Sequence, residues 1–123
     1  MSDCIFCNPD STDNLLENET CYARWSAFEV SEGHLLIVPF RHFEDYFEAS
    51  KAEQQELWEL VDKGKGLIES KYKPDGYNIG INIGQAAGQT IMHLHIHIIP
   101  RYNGDMVDPR GGVRGVIPDK QKY

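Results

Sequence analysis

The chain has few cysteines, no long apolar run and a shortage of positive charge, and each lack closes a class of answers. Its three cysteines are an odd number and too few for a disulfide framework. No apolar stretch approaches the roughly 20 residues that a membrane-spanning helix needs. A net charge of −7 argues against a protein that coats nucleic acid polymers. Met1-Ser2-Asp3-Cys4 has neither the basic start nor the apolar stretch of a signal peptide, so cytoplasmic residence is expected. No internal repeat and no compositional break is visible. With 123 residues and 41% apolar content, one compact domain spanning 1–123 is expected.

What is present is a concentration of imidazole. Three of the five histidines alternate in Met92-His93-Leu94-His95-Ile96-His97-Ile98-Ile99-Pro100. The β-branched isoleucines and the two-residue period predict a strand. On a strand, His93, His95 and His97 share one face while Leu94, Ile96 and Ile98 turn to the core. A structural strand has no use for three adjacent imidazoles, which suit acid, base, nucleophile or metal-ligand work near neutral pH. The middle one, His95, has a neighbour on either side. A group accepting from its Nδ1–H would leave the Nε2 lone pair outward, as a nucleophile requires. Charge is uneven as well. Residues 101–123 carry five cations against three aspartates, a net +2, which leaves −9 elsewhere. A basic stretch just after the histidines suits a small anionic ligand.

The remaining pattern predicts an α+β fold with an antiparallel sheet, one long helix and a short one. Residues 8–20 are polar and read as loop. Cys21–Trp25 and His34–Val38 read as two strands around the Glu32-Gly33 turn, the second closed by Pro39. Ser50 and Glu53 form a capping box that opens a helix over about 51–72. Leu57, Leu60, Val61, Gly64, Leu67 and Ile68 make its apolar stripe. Tyr77–Gly84 alternates between an apolar face and a bare Asn/Gly face, the latter open to close approach. It leads into the histidine segment, and the two are expected to pair. Residues 103–123 are rich in Gly, Asp and Pro and are expected to be irregular. Two arginines flanking paired glycines, with Val113, Val116 and Ile117 as anchors, suggest a tail that completes the site.

His-Leu-His-Ile-His-Ile-Ile, Ala87-Gly88-Gln89-Thr90 before it, Pro100-Arg101 after it and Gly33-His34-Leu35-Leu36-Ile37-Val38-Pro39 upstream together resemble the histidine-triad (HIT) family, from about Cys4 to Arg101. The resemblance implies the HIT fold and action on nucleoside-phosphate derivatives. By the same resemblance, His95 attacks the α-phosphate to form a nucleotidyl-histidine, His97 serves hydrogen bonding and proton transfer, and His34 supports the triad. Asn82 matches an amide near ribose and phosphate. Gly84 to Thr90 reads as an anion cradle, with glycine backbone N–H groups and the Gln89 and Thr90 side chains as donors. Arg101 is placed either to meet a polyphosphate or in solvent. Where relatives carry an Asp or Asn for the ribose hydroxyls, this chain has Ser26, which cannot bridge both. The family also implies a homodimer, and Gly64 and Gly66 suggest a helix face for close approach.

Cys4-Ile5-Phe6-Cys7 has the spacing of a zinc knuckle or a thiol redox pair. Cys21 reads as a small core hydrophobe. Similarity to zinc-containing HIT relatives implies Cys4, Cys7, His42 and His93 as a ligand set for structural zinc. The expected function is thus a hydrolase acting on purine nucleotides, with dinucleoside polyphosphates such as diadenosine tetraphosphate foremost. A nucleoside phosphoramidase, a phosphorylase, a metal-dependent hydrolase with zinc on the three histidines, and a nucleotide-binding module with little turnover are the alternatives.

Overall fold

The structure is a computed structural model that describes residues 4–7, 9 and 14–123. The signal-peptide reading of residues 1–3 and part of the expected loop over 8–20 lie outside the described residues. Five strands form one antiparallel sheet: β1 (Leu16–Glu17), β2 (Cys21–Trp25), β3 (Leu35–Pro39), β4 (Gly76–Gly80) and β5 (Ile96–Arg101). Their spatial order is β1-β2-β3-β5-β4. The pair β2–β3 is as expected, with Tyr22 opposite Val38 and Arg24 opposite Leu36. Leu16 and Glu17, read as loop from composition, extend the sheet by pairing with Ala23 and Tyr22.

The single long helix, α1 (Lys51–Lys71), opens with the reciprocal capping box of Ser50 and Glu53. Glu53 also receives Arg41 through both carboxylate oxygens, at 2.8 and 3.1 Å. The helix start therefore anchors the loop that carries His42. Leu57, Leu60, Val61 and Ile68 join Cys21, Ala23, Leu35, Ile37, Leu94, Ile96 and Ile98 in the main core. Gly64 is part of that contact, since a Cβ there would stand 2.7 Å from the Leu35 side chain. The helix stripe is thus consumed against its own sheet, and Gly64 is not the surface of close approach that its spacing suggested.

The opposite sheet face is also covered. Phe6 packs there with Tyr22, Leu36 and Val38. Coverage on both sides explains why β3 is a continuous apolar run rather than an alternating one. The expected strand over Tyr77–Gly84 stops at Gly80, whose partner is His97. Pairing with the last strand ends there, and further back Leu94 N–H donates to the Phe43 carbonyl at 2.7 Å. β5 accordingly begins at Ile96, later than the alternation implied. Among the described residues, no helix is long and apolar enough to cross a membrane.

Candidate active site and metal centre

All five histidines fall in two adjoining groups, one beyond the end of β3 at Pro39 and one beside its start at Leu35. In the first, Cys4, Cys7, His42 and His93 place one ligand atom each within 4.8 Å of all the others. Cys7 Sγ is 3.1 Å from His42 Nδ1, and His93 Nδ1 is 3.4 and 3.5 Å from the two sulfurs. The edges of a tetrahedron built on zinc–sulfur and zinc–nitrogen bonds are about 3.3–3.8 Å, so the donors are spaced for such an ion. The tautomer fits as well. His93 Nε2 lies 2.8 Å from the Pro39 carbonyl, which accepts only, so Nε2 carries the proton and Nδ1 offers its lone pair to the sulfurs. Burial lowers the His93 pKa, which favours the neutral, ligating form.

The second group is His34, His95 and His97, on the wall of a cleft of about 590 Å³. A chain of fixed partners sets their protons. His95 Nδ1 meets the main-chain carbonyl of His93 at 2.8 Å, so it must donate, and Nε2 holds a free lone pair. Val30 N–H donates to His34 Nδ1 at 3.0 Å. In neutral His34 the proton is then on Nε2, which lies 3.0 Å from His97 Nδ1. His97 therefore carries its own proton on Nε2. Burial is the main cause lowering all three pKa values. His97, further opposed by His95 and His34, is pushed down to about 4. At neutral pH the three are uncharged: one exposes a lone pair and another an N–H.

The loop between β4 and β5 borders the cleft, but its donors are spent differently than expected. Gly84 and Gly88 have φ of 90° and 89°, a region that favours glycine. Their N–H groups are satisfied within the loop, by Gln89 Oε1 and the Gln85 carbonyl. The Gln89 side chain is buried and donates to the carbonyls of Glu44 and Ile91. It braces the loop, and of the two expected side-chain donors Thr90 is the one left exposed on the cleft. Asn82, Gly88 and Ser26 also line the cleft. Ser26 Oγ accepts from Phe28 N–H at 3.2 Å.

The arginines that the sequence offered for phosphate, Arg101, Arg110 and Arg114, do not line the cleft. Arg101 is held by Asp105 through two bonds of 2.7 and 2.8 Å and donates at 2.7 Å to Asn78, which lines the cleft although Arg101 itself does not. Arg114 donates to the carbonyls of Lys120 and Gln121 and lies over the Tyr123 ring. Gly112, Val113, Gly115 and Val116 of the tail do reach the cleft, in the same chain and within a short helical turn. Residues that sequence reasoning did not single out complete the wall, among them Ile5, Phe6, Arg24, Phe28 and Leu36. Phe6 touches both histidine groups, and its place between Cys4 and Cys7 was the one signal of it.

A HIT domain matches residues 9–104. AP-4-A phosphorylase of Mycobacterium tuberculosis is 34% identical over 68% of this chain and 44% of its own. The chain thus matches less than half the length of that relative. A member of the HIT family from Bacillus subtilis, solved as a crystal structure, superposes with a TM-score of 0.74 at 32% identity, covering 84% of this chain and 76% of its own. A Zn-bound histidine triad family protein from Mycobacterium smegmatis gives a TM-score of 0.74 at 29% identity, with coverages of 86% and 80%.

Proposed function

The chain belongs to the HIT family, and on that premise we propose that it cleaves nucleotides at the α-phosphate through a covalent intermediate on His95, with dinucleoside polyphosphates as the leading substrates. The observation that carries this reading is the fixed tautomer of His95, whose Nδ1–H is committed to the His93 carbonyl. Nε2 attacks phosphorus, a P–N bond forms, and the bond to the leaving oxygen breaks with its electron pair going to that oxygen. The new positive charge on His95 is stabilised by the His93 carbonyl across the Nδ1–H bond. His97 Nε2–H is placed to donate to a phosphoryl or leaving oxygen. A polyphosphate leaves as an anion and needs no full proton transfer, which suits a His97 that is neutral at pH 7. Water then attacks phosphorus, the P–N pair returns to His95, and the proton shed by water passes to solvent as a nucleoside monophosphate departs. The apolar wall of Ile5, Phe28, Val30 and Leu36 suits a nucleobase.

The four converging donors fit a zinc ion. Two thiolates and two imidazoles would fill its shell and leave no position for water, so its contribution is to tie the N-terminal turn to the His93 segment. The proposal also includes pairing of two copies, on family likeness; a monomer by light scattering at micromolar concentration rejects that part.

One observation favours a second reading, a nucleoside phosphoramidase. Among the described residues, Arg24 is the single arginine or lysine on the cleft wall, which suits a leaving group of low charge. The experiment is to mix the protein with labelled diadenosine tetraphosphate or adenosine phosphoramidate, quench rapidly and seek an acid-labile, base-stable adenylyl adduct. An adduct that is lost in His95→Ala supports the mechanism, and its relative rate from the two substrates ranks them. Turnover without an adduct in the wild type rejects the covalent route.

A further inference from the structure

We propose that Phe6 is a positioning residue that couples the Cys4–Cys7 metal clamp to the imidazole of His95; the proposal rests on reading His95 as the nucleophile. Phe6 lies in a turn closed by Cys7 N–H donating to the Cys4 carbonyl at 3.2 Å. It is 2% exposed, whereas its neighbour Ile5 is 53% exposed, so the turn drives one side chain inward. The Phe6 ring centroid is 5.1 Å from that of His95 and 5.8 Å from that of His93. Its carbonyl accepts from the hydroxyl of fully buried Tyr22 at 2.9 Å. The Arg24 guanidinium lies over the ring, 5.4 Å from its centroid. Phe6 is thus fastened at both its main chain and its ring, and it touches the buried metal ligand and the nucleophile at once.

His95 needs that contact. Its hydrogen bond to the His93 carbonyl fixes the tautomer but leaves the ring free to pivot about one point. The pivot is limited by rings, with Phe6 in tilted contact and His97 edge-on at 4.9 Å. Phe6 comes from the far end of the chain, and its segment is tied down by the thiols. With the ion bound, Cys4 and Cys7 are pinned to His42 and His93, and the Phe6 ring is pressed onto His95. Without it, the turn keeps its contacts with Tyr22 and Arg24 but loses its clamp, and the ring is held by those contacts and by packing against Tyr22, Leu36 and Val38 alone. A small misalignment of a nucleophile is costly in rate while leaving substrate contacts in place. The metal centre therefore conditions the orientation of His95 as well as stability, and Phe6 carries that effect.

The test compares wild type, Phe6→Ala and Phe6→Leu, each before and after zinc chelation. It reads zinc per chain, the His95 ring-proton resonances, kcat and KM. Phe6→Ala should keep its zinc and lose roughly tenfold or more in kcat with KM within about threefold, and Phe6→Leu should recover most of the loss. Chelation should displace the His95 resonances and lower kcat in wild type, with little further change in Phe6→Ala. The coupling is overturned by wild-type His95 resonances that stay put on chelation, by chelation losses as large in Phe6→Ala as in wild type, or by a change in KM alone. Loss of zinc from Phe6→Ala also overturns it, because the ring would then serve the metal only. If Phe6→Ala does not fold, Phe6→Leu decides: a chelation response as large as wild type rejects the coupling, and a reduced one supports it. Absence of turnover and adduct in wild type would sink the His95 reading alone, since the resonance displacement is measured without substrate.

Discussion

His93 and His95 stand two residues apart, both are buried, and both give a ring N–H to a main-chain carbonyl, but from different nitrogens. His93 spends Nε2 on Pro39 and turns Nδ1 to two sulfurs. His95 spends Nδ1 on His93 and turns Nε2 to the cleft. The same side chain is suited to ligating a metal in one place and to attacking as a nucleophile in the other, according to which nitrogen meets the carbonyl. The two surroundings differ in a second way. Around His93 four donors converge and close the space, whereas around His95 the partners are rings and the outward nitrogen is left open for a reacting atom. Orientation alone does not make an active histidine; the open side does.

The sharpest way to break this comparison is to delete each ring. His95→Ala should lower turnover by several orders of magnitude, roughly 10³-fold or more, with nucleotide binding largely kept, as measured by steady-state kinetics and calorimetry. His93→Ala should instead lose zinc by elemental analysis and melt earlier. Equal behaviour of the two variants would mean that the two groups are one site. The next largest effect belongs to the sulfurs. Cys4→Ser, or zinc removal by chelation, should lower the melting temperature on the order of 10 °C, since metal binding free energy adds directly to folding free energy. Substrate KM should change far less. A metal-free preparation that melts with the metallated one would refute a structural ion.

Much of this contrast was legible before the structure, because its carriers are local. The histidine alternation, the capping box of Ser50 and Glu53 and the Cys4-Cys7 spacing each involve neighbours within a few residues. What escaped depends on partners far along the chain. Leu16 and Glu17 are a strand because Tyr22 and Ala23 lie beside them. Tyr77–Gly84 reads as one strand, but its pairing with β5 ends at Gly80 opposite His97. Gln89 carries donors suited to an anion, but the carbonyl of Glu44 claims one of them. Arg101 has charge suited to a polyphosphate, but Asp105 claims it. A polar side chain announces what it can do; what it is left free to do is decided by contacts that no local pattern encodes.

The open group should also respond to acid. His97 has its pKa lowered from the ordinary 6.5 to about 4, and burial lowers that of His34 as well. Between about pH 6.5 and pH 4 the unfolded chain binds protons that the folded chain refuses. The histidine contribution to stability therefore falls as pH drops through that window and levels off below about 4, where carboxylates with lowered pKa values such as Asp105 take over the loss. Denaturant titrations across pH 7 to 4 should show this slope, and it should be shallower in His97→Asn. An unchanged slope in that variant would assign the acid response to the metal group instead.

The smallest effect expected is in the tail, where the structure reassigns the work from charge to shape. Arg110 and Arg114 are the residues that composition favours for gripping phosphate. Neither is on the cleft wall, and Arg114 spends its donors on the carbonyls of Lys120 and Gln121. The wall is instead Gly112, Val113, Gly115 and Val116. Gly112 lies close enough to β4 that a Cβ there would stand 3.2 Å from the Asn78 amide nitrogen. Truncation after Tyr102 removes that wall and should raise KM for the dinucleotide and the inhibition constant of the monophosphate alike, by roughly tenfold or less, as expected for about 1 kcal/mol of lost apolar contact. Arg110→Ala should leave KM within about twofold, as surface changes usually do. Arg114→Ala should fall between the two, since it loosens the fold of the segment without removing its valines. A selective loss of polyphosphate affinity in Arg110→Ala with Arg114→Ala would restore the electrostatic account. Truncation without effect on either ligand would remove the tail from the site.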